Sequence, residues 1–447
     1  MGKIRIRHSY ILRFKHLSSA MWRKATTTSL LEVICIIVLL SLRNHHKVHL
    51  TIERVISAAE KEKMLNYVNH YIDPDTIVYQ FENSEGEWID CVDMYRQPSL
   101  KSPLLKGHKI QSPPSEPKGE KSIIETSEQN EIWAVQNIKE ICPKGSIPIL
   151  RPTIEQFQRF ETLKDVFKKI PNHLKESTRN EFTPPNLGST DLHQYAHASQ
   201  SVSNWGVEAV FNYWDGNEAY VERDDEFTLS QTWVVGGSGS GLQTLEAGWN
   251  VYRDLYNGSN KGRLFIYWTS DNYQNTGCYN LLCSGFVQTD NSVVIGGGFN
   301  EYSQAGGTQT TFKIRIQKSS ITADWWLRYE GGGTNVWVGY WPRSLFNSSG
   351  LANQASVLDF GGEIIDANTT RHTHTDMGSG YWPSDGFGYS AYTRNILGID
   401  TNFAWMNVNL TRRVTDANCY DLNLYHTTTS WGTYFYFGGP GYNINCQ

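Results

Sequence analysis

The sequence is poor in charge and lacks the motifs of several enzyme classes. Charged residues make up only 19% of its 447 residues, although aromatic residues reach 13%. There is no CxxC pair and no Cys/His spacing typical of a zinc site, and neither HExxH nor G-x-S-x-G occurs. These absences argue against zinc hydrolases and against serine hydrolases of the G-x-S-x-G type, and we expect neither a metal nor a cofactor.

The apolar run near the start is too short to span a membrane comfortably. Val33–Leu42 has ten residues, whereas a transmembrane helix takes about 20. It follows a basic leader that contains no acidic residue before position 29, a combination typical of a signal peptide. The leader is long and no A-x-A cleavage site follows it. We therefore expect residues 1–48 to be a signal peptide, with a membrane-tethering signal anchor as the alternative.

Charge and aromatic content divide the chain into two parts. Residues 1–190 carry 27 Lys+Arg and 22 Asp+Glu, against 13 and 23 in residues 191–447. Twelve of the 15 Trp lie in the second part. A basic segment that docks on an acidic domain fits this division, and so acidic a second part makes nucleic acid an improbable partner.

The first part predicts a small α+β unit over residues 49–152. Residues 51–68 have helical spacing with Thr51 as a cap, and a β-hairpin follows at residues 76–95. The Pro/Lys-rich stretch 97–121 predicts an extended linker. Residues 132–152 form another small ordered piece, and a disulfide between the cysteines on either side of the linker, at positions 91 and 142, would join the two pieces.

Residues 153–191 predict a helix followed by an exposed segment. Residues 154–170 place apolar side chains on one helical face. Residues 172–191 are polar and contain proline, so we expect the processing cut there; an ordinary interdomain linker is the alternative.

Residues 192–447 predict a large antiparallel β-sandwich. Short β-rich runs recur every eight to fifteen residues between Gly/Asn/Asp turns, and no long helical pattern follows His193. In this domain we expect a bridge Cys278–Cys283 that closes a short loop and a bridge Cys419–Cys446 that holds the C-terminus, in addition to Cys91–Cys142 before the domain. With N-glycosylation sequons at Asn257, Asn347, Asn368 and Asn409, a secretory route is expected.

A lone acid lies in the middle of one predicted strand. In LQTLEAGWNVY, alternation places Thr244, Glu246 and Gly248 on one face and their apolar neighbours on the other. A single carboxylate among small residues suggests the floor of an open groove. An ordinary exposed or hydrogen-bonded glutamate would give the same sequence pattern.

A second acid, Glu363, repeats the pattern. It follows two glycines at the start of an apolar run, and glycines there would let a ligand backbone approach the sheet. Two glutamates on one sheet face would form a paired-carboxylate site, in which one deprotonates water while the other, protonated, donates to the carbonyl or leaving group. His372 and His374 lack a third metal ligand nearby, and the glycine-rich loop 236–241 has neither the following helix nor the lysine of a phosphate site.

The quoted residues resemble the neprosin family of plant glutamic peptidases. The match includes TLEAGWNVY, YWTSDNYQNTGCYNLLCSGFVQ, FGGEII and FYFGGPG, and the text IDCVDMY and CPKGSIPI resembles the family's activation peptide. The resemblance implies a secreted zymogen that cuts peptide bonds after proline at acid pH. It places the two catalytic glutamates on Glu246 and Glu363, and it matches Cys278–Cys283 and Cys419–Cys446 to family disulfides.

The partners expected from this resemblance are proline-containing peptides and the chain's own pro-domain, which would inhibit a monomeric enzyme in the apoplast or vacuole. The side chains expected to contact substrate are Gln231, Trp249, Tyr267, Trp268, Tyr340 and Trp341. Two alternatives stay open: a carbohydrate-binding cell-wall sandwich without catalysis, and a glycoside hydrolase that uses the same two acids.

Overall fold

A computed structural model of the chain describes residues 54–121, 130–169, 192–368, 370–427 and 430–447. The predicted signal segment 1–48 and processing segment 172–191 lie outside the described residues. Within the described ranges, no helix is long and apolar enough to cross a membrane.

The described residues before 170 contain three α-helices and four strands. The helices are α1 (Ala58–Tyr71), α2 (Ile154–Phe157) and α3 (Leu163–Val166). The strands are β1 (Ile77–Glu82), β2 (Trp88–Asp93), β3 (Glu131–Trp133) and β4 (Ser146–Leu150). Strands β1, β2 and β4 form a small antiparallel sheet, whereas β3 pairs with a strand of the second part.

The described residues of the second part form fifteen strands. In chain order they are β5 (His193–Asn204), β6 (Gly206–Asn212), β7 (Phe227–Gly236), β8 (Gln243–Tyr252), β9 (Arg263–Thr269), β10 (Val287–Gln288), β11 (Gln309–Lys318), β12 (Trp325–Gly331), β13 (Thr334–Trp341), β14 (Ala355–Ile365), β15 (Ala391–Ile399), β16 (Trp405–Asn407), β17 (Thr411–Val414), β18 (Asp421–His426) and β19 (Thr433–Gly438). The only helical segments among the described residues after 192 are short 3-10 turns.

These strands form two sheets that pack face to face. The six-stranded sheet has the order β17-β5-β14-β7-β8-β9, and the ten-stranded sheet runs β10-β13-β12-β11-β6-β15-β19-β18 with β16 and β3 attached. Leu245 and Ala247 of β8 share one core with Phe312 and Ile314 of β11. Alternation along each strand therefore turns one face inward and leaves the other for ligands or solvent. The predicted antiparallel β-sandwich is confirmed.

The helices begin and end at other residues than the sequence suggests. Helix α1 begins after Ser57, whose hydroxyl accepts a hydrogen bond from the Glu60 amide at 3.2 Å, rather than after Thr51. The single helix predicted over 154–170 is two short ones, because Thr162 caps a second helix. The break between them lets Arg159 reach Asp224 at 2.7 Å.

Residues 97–121, predicted as a linker, pack against the rest of the protein. Residues 98–105 form two 3-10 turns, and residues 108–121 run in extended form over the ten-stranded sheet. Ordered contacts with the sheet replace the regular backbone hydrogen bonds that its prolines prevent.

The structure contains the bridges Cys91–Cys142, Cys278–Cys283 and Cys419–Cys446. Three disulfides are typical of proteins that fold in an oxidising compartment. Of the four sequon asparagines, Asn257, Asn347 and Asn409 are exposed and Asn368 is half-buried.

Glu226 is a fully buried carboxyl that we expect to set the pH dependence of stability. Burial raises its pKa to about 8, against hydrogen bonds from Thr373 and Thr375 that lower it. The unfolded chain holds this group near its ordinary pKa of 4.5. Its contribution is therefore fully present below pH 4.5 and is lost as the pH rises through 8. We expect the wild-type protein to lose on the order of a few kcal/mol between pH 5 and pH 8.5 through this group.

Glu226→Gln should flatten that decline, as measured by the urea midpoint at both pH values. The pKa of Glu222 is shifted in the opposite direction, so this residue should affect stability in the opposite way. Burial alone would raise its pKa, but Arg371 and the amide of His374 lower it overall, so Glu222→Gln should weaken the fold at neutral pH. An unchanged pH profile for Glu226→Gln would contradict the assignment.

Candidate functional site: two glutamates joined by a lysine

The site lies on the outer face of the six-stranded sheet. Residues directly opposite each other in an antiparallel pair share a face. Glu246 of β8 lies opposite Trp233 of β7 and Tyr267 of β9, and Glu363 of β14 lies opposite Leu229 of β7. Strand β7 therefore separates two glutamates that point to the same side.

Lys169 joins the two glutamates. Its Nζ lies 2.6 Å from Oε2 of Glu246 and 2.7 Å from Oε2 of Glu363. All three side chains are buried. Burial alone would lower the pKa of Lys169, but the two carboxylates outweigh burial and raise it. A cation from the first part of the chain thus occupies the position between the two acids.

The other oxygen of Glu246 accepts two hydrogen bonds. The Tyr273 hydroxyl donates to Oε1 at 2.6 Å and the Thr244 hydroxyl donates at 2.8 Å. Tyr273 belongs to the loop after β9, where Asn272 and Tyr273 both have positive φ, at 55° and 60°. Two consecutive residues other than glycine in this region are a strained arrangement of the kind found at functional sites.

Glu363 is held from two sides of its strand. His193 Nδ1 on β5 contacts its Oε1, and Gln231 Nε2 on β7 donates to its Oε2 at 3.1 Å. Burial alone would raise the pKa of Glu363, but Lys169 and His193 outweigh burial and hold it below the ordinary value. The carboxylate is therefore charged in this state of the protein.

Residues near Lys169 close the site. Its backbone amide donates to the Tyr267 hydroxyl at 3.3 Å, and its Nζ lies 5.4 Å from the centre of the Trp233 ring. Phe157, Phe160 and Val166 from the same part of the chain pack into one cluster with Phe265 and Tyr267 of the sheet. The segment that carries Lys169 thus covers the face that holds the two glutamates.

Two of the six residues expected to contact substrate lie at this site, namely Gln231 and Tyr267. Trp249 and Trp268 alternate to the opposite face and are buried in the core between the sheets. Trp341 belongs to the other sheet and packs on Phe286 with ring centroids 4.8 Å apart. These three indoles fill the core, and we omit them from the proposed substrate contacts.

Tyr340, the sixth expected contact, also lies away from the glutamates. It is on β13 of the ten-stranded sheet, where its hydroxyl contacts His108 at 2.7 Å and accepts a hydrogen bond from the Gln111 amide at 3.1 Å. Its partners are residues of the extended stretch 108–121.

The glycines before Glu363 serve strand packing rather than ligand approach. A Cβ on Gly361 would lie 2.4 Å from the Cα of His197 on β5, and one on Gly362 would lie 2.5 Å from the Phe437 ring. Neighbouring protein atoms occupy the room that the sequence suggested for a ligand.

Sequence reasoning did not assign Lys169, His193 or Tyr273 to the site. The histidine belongs to no catalytic sequence motif, and the lysine lies in a segment whose pattern marks only the apolar face. No local signal marks either residue, because their partners are 170 or more positions away for His193 and 77 or more for Lys169.

One group of possible metal ligands occurs among the described residues: His372, Cys419 and Cys446. The two sulfur atoms form a disulfide, so they cannot bind a metal as thiolates. The group therefore does not fit a metal site.

The fold is thus an antiparallel β-sandwich with two buried glutamates on one sheet face, and the N-terminal part of the chain covers that face. Sequence profiles give the family. The profile described as Neprosin matches residues 224–440, and the profile described as neprosin activation peptide matches residues 80–199. The chain belongs to the neprosin family, and it carries both the peptidase domain and the activation peptide of a zymogen.

Proposed function

We propose that the chain is the secreted precursor of a glutamic endopeptidase that cuts after proline at acid pH. Glu246 and Glu363 are its catalytic pair. The observation that carries the proposal is that one lysine of the activation region contacts both glutamates, which are the two acids that the sequence singles out. A pro-segment that neutralises both members of a catalytic pair is a direct means of inhibition.

The chemistry needs one proton shared by the two carboxylates. With Lys169 withdrawn, two carboxylates at close range cannot both stay charged at mildly acid pH, so one holds a proton. The charged carboxylate takes a proton from water, and the resulting hydroxide attacks the peptide carbonyl. The protonated one donates to the carbonyl oxygen or to the leaving nitrogen. Either glutamate can take either role.

Several side chains around the pair position these groups. The Tyr273 and Thr244 hydroxyls orient Glu246, and His193 orients Glu363. Gln231 Nε2, which now donates to Glu363, is a donor for the substrate carbonyl. The Tyr267 and Trp233 rings flank the position of Lys169 and offer apolar surfaces for a proline ring.

The test is to acidify the purified precursor, incubate it with a peptide that contains several prolines, and map the products by mass. We expect a cut chain that has lost its activation region, and peptide products that end in proline. A matched peptide with every proline replaced by alanine should remain intact. Cleavage of the two peptides at equal rates would overturn the proline preference, and no cleavage of either by the cut chain would overturn the peptidase assignment.

A further inference from the structure

The activation region also covers a second surface, on the outer face of the ten-stranded sheet. Residues 108–121 run across β11, β12 and β13, the sheet that does not hold the two glutamates. The sequence there is His-Lys-Ile-Gln-Ser-Pro-Pro-Ser-Glu-Pro-Lys-Gly-Glu-Lys, an extended proline-rich peptide. The protein thus displays one peptide of defined chemistry bound to this face.

The backbone of this peptide is held along its length. Gln317 Nε2 donates to the Ser115 carbonyl at 2.7 Å. The Lys118 amide donates to the Phe403 carbonyl at 2.7 Å, and the Lys118 carbonyl accepts from the Trp405 amide at 3.3 Å. Main-chain hydrogen bonds of this kind bind any extended peptide of suitable shape, so they provide affinity rather than sequence preference.

Sequence preference would come from Glu116 and Pro117. The Glu116 carboxylate contacts Arg315 Nη1 at 2.5 Å and also Arg328, while the Pro117 ring is buried. Burial alone would raise the pKa of Glu116, but the two arginines lower it overall, so the carboxylate stays charged in mild acid. A Glu-Pro dipeptide is the part of the segment that this face recognises most fully.

The two guanidinium groups are held in place by tryptophan rings. Arg315 lies 4.8 Å from the centre of the Trp405 ring and 5.7 Å from that of Trp337, and Arg328 lies 5.4 Å from that of Trp337. Arg315 also contacts Glu208 at 2.6 Å. These contacts are within the peptidase domain and would still be available to the two arginines without residues 108–121, whose Lys121 also contacts Glu208 and the Trp405 ring.

We propose that this face is a second peptide-binding site of the processed enzyme, which binds extended Glu-Pro-containing segments of substrate polypeptides once residues 108–121 have left. It deepens the proposed function, since it recruits proline-containing substrates to an enzyme that cuts after proline. Its binding groups are Arg315, Arg328 and Gln317 with the backbone at residues 403–405, all outside the catalytic pair.

The test measures binding rather than hydrolysis, so that its failure is distinguishable from failure of the peptidase assignment. The purified full chain is cut within residues 170–191, by its own acid processing or by an added protease, and the activation region is separated by size. A fluorescent peptide with the sequence of residues 108–121 is then titrated in mild acid. We expect the cut enzyme to bind it with a Kd of about 1–100 μM, and the uncut precursor, whose site is occupied, to bind it at least about tenfold more weakly.

Two substitutions test the recognition itself. Arg328→Gln should weaken binding about 2-fold to 5-fold, which is the range expected for a salt bridge to a carboxylate that is more than half exposed, and a probe with glutamine in place of Glu116 should also bind more weakly. The matched control is Arg412→Gln, which removes an arginine on the edge of the other sheet that pairs with Asp421. It should bind as the wild type does, and all variants should keep the wild-type urea midpoint.

Three results would overturn the proposal. One is equal binding by the wild-type and Arg328→Gln enzymes, including no binding by either. Another is an activation region that stays bound after the cut, because the face would then never become accessible. The third is displacement of the probe by dextran sulfate at concentrations at which a Glu-Pro peptide has no effect, which would indicate a polyanion site instead.

Discussion

Replacing either glutamate of the proposed catalytic pair with glutamine should abolish hydrolysis. Glu246→Gln and Glu363→Gln each preserve side-chain size but remove a group that holds or accepts a proton. General acid–base catalysis contributes roughly 10²–10⁴-fold, and a two-carboxylate mechanism loses both functions when one member is missing. We expect activity on a proline-containing peptide to fall by at least about 10³-fold. If the precursor is processed by self-cleavage, each variant should also remain uncut in acid.

The control is Glu226→Gln, the same substitution at another fully buried glutamate. Its contacts are with Thr373, Thr375 and the Ala367 amide rather than with the pair. It should retain the activity of the wild type, and circular dichroism should show the same β-sheet signal in all three variants. Turnover above about one tenth of the wild-type rate in Glu246→Gln or Glu363→Gln would remove the dyad from the mechanism.

Removing the lysine that joins the glutamates should make the precursor open more readily. Lys169→Met deletes two buried ion-pair contacts while keeping an apolar side chain of similar length. Taking one partner from a buried ion pair destabilises that arrangement by about 3–5 kcal/mol, because the remaining charges lose their compensation. We expect processing of the precursor at a given mildly acid pH to be at least about tenfold faster than in the wild type.

The pH at which the precursor opens should also change in Lys169→Met. The pKa of Glu363 lies below its ordinary 4.5 while Lys169 is in place, so the contact stabilises the covered state above pH 4.5 and is lost as the pH falls through the lowered pKa. The wild-type precursor should therefore open only below about pH 4.5, and Lys169→Met should open at higher pH.

Lys164→Met is the matched control for Lys169→Met. Lys164 lies five residues earlier in the same segment and donates to Asn275 at 2.8 Å at the surface. Gel electrophoresis after incubation across a pH series gives the onset of processing for each variant. If Lys169→Met and Lys164→Met show the same onset, the lysine does not hold the precursor closed.

The class of fold and the two acids were accessible from local patterns. Alternation in β8 predicts that Glu246 and Gly248 share a face opposite Trp249, and the strand pairing confirms that arrangement, because side-chain direction in a strand depends only on parity. The same parity also placed Trp249 away from the acids. The expectation that Trp249 contacts substrate therefore conflicts with the alternation of side chains along β8, and the structure buries Trp249 in the core.

Helix boundaries were predicted less well because they depend on contacts beyond the helix. The apolar spacing over 154–170 continues through a break, where Thr162 caps a second helix and Arg159 pairs with Asp224 and Asp254 of the other part of the chain. Likewise, the proline-rich stretch 97–121 has no regular hydrogen-bond pattern of its own, so its sequence predicts a linker. Its order comes from partners such as Gln317 and Arg315, which local patterns cannot reveal.

The sequence by itself determined the β-sandwich and the presence of two glutamates in groove-like strand settings, because strand periodicity and turn residues are local properties. The tertiary structure alone decided that both glutamates meet one lysine, and that a second stretch of the activation region covers the opposite sheet. Those arrangements join residues separated by 77 positions, for Lys169 and Glu246, to 287 positions, for Lys118 and Trp405. Only the packing of the sheets and of the activation region upon them determines which of so many distant side chains come into contact.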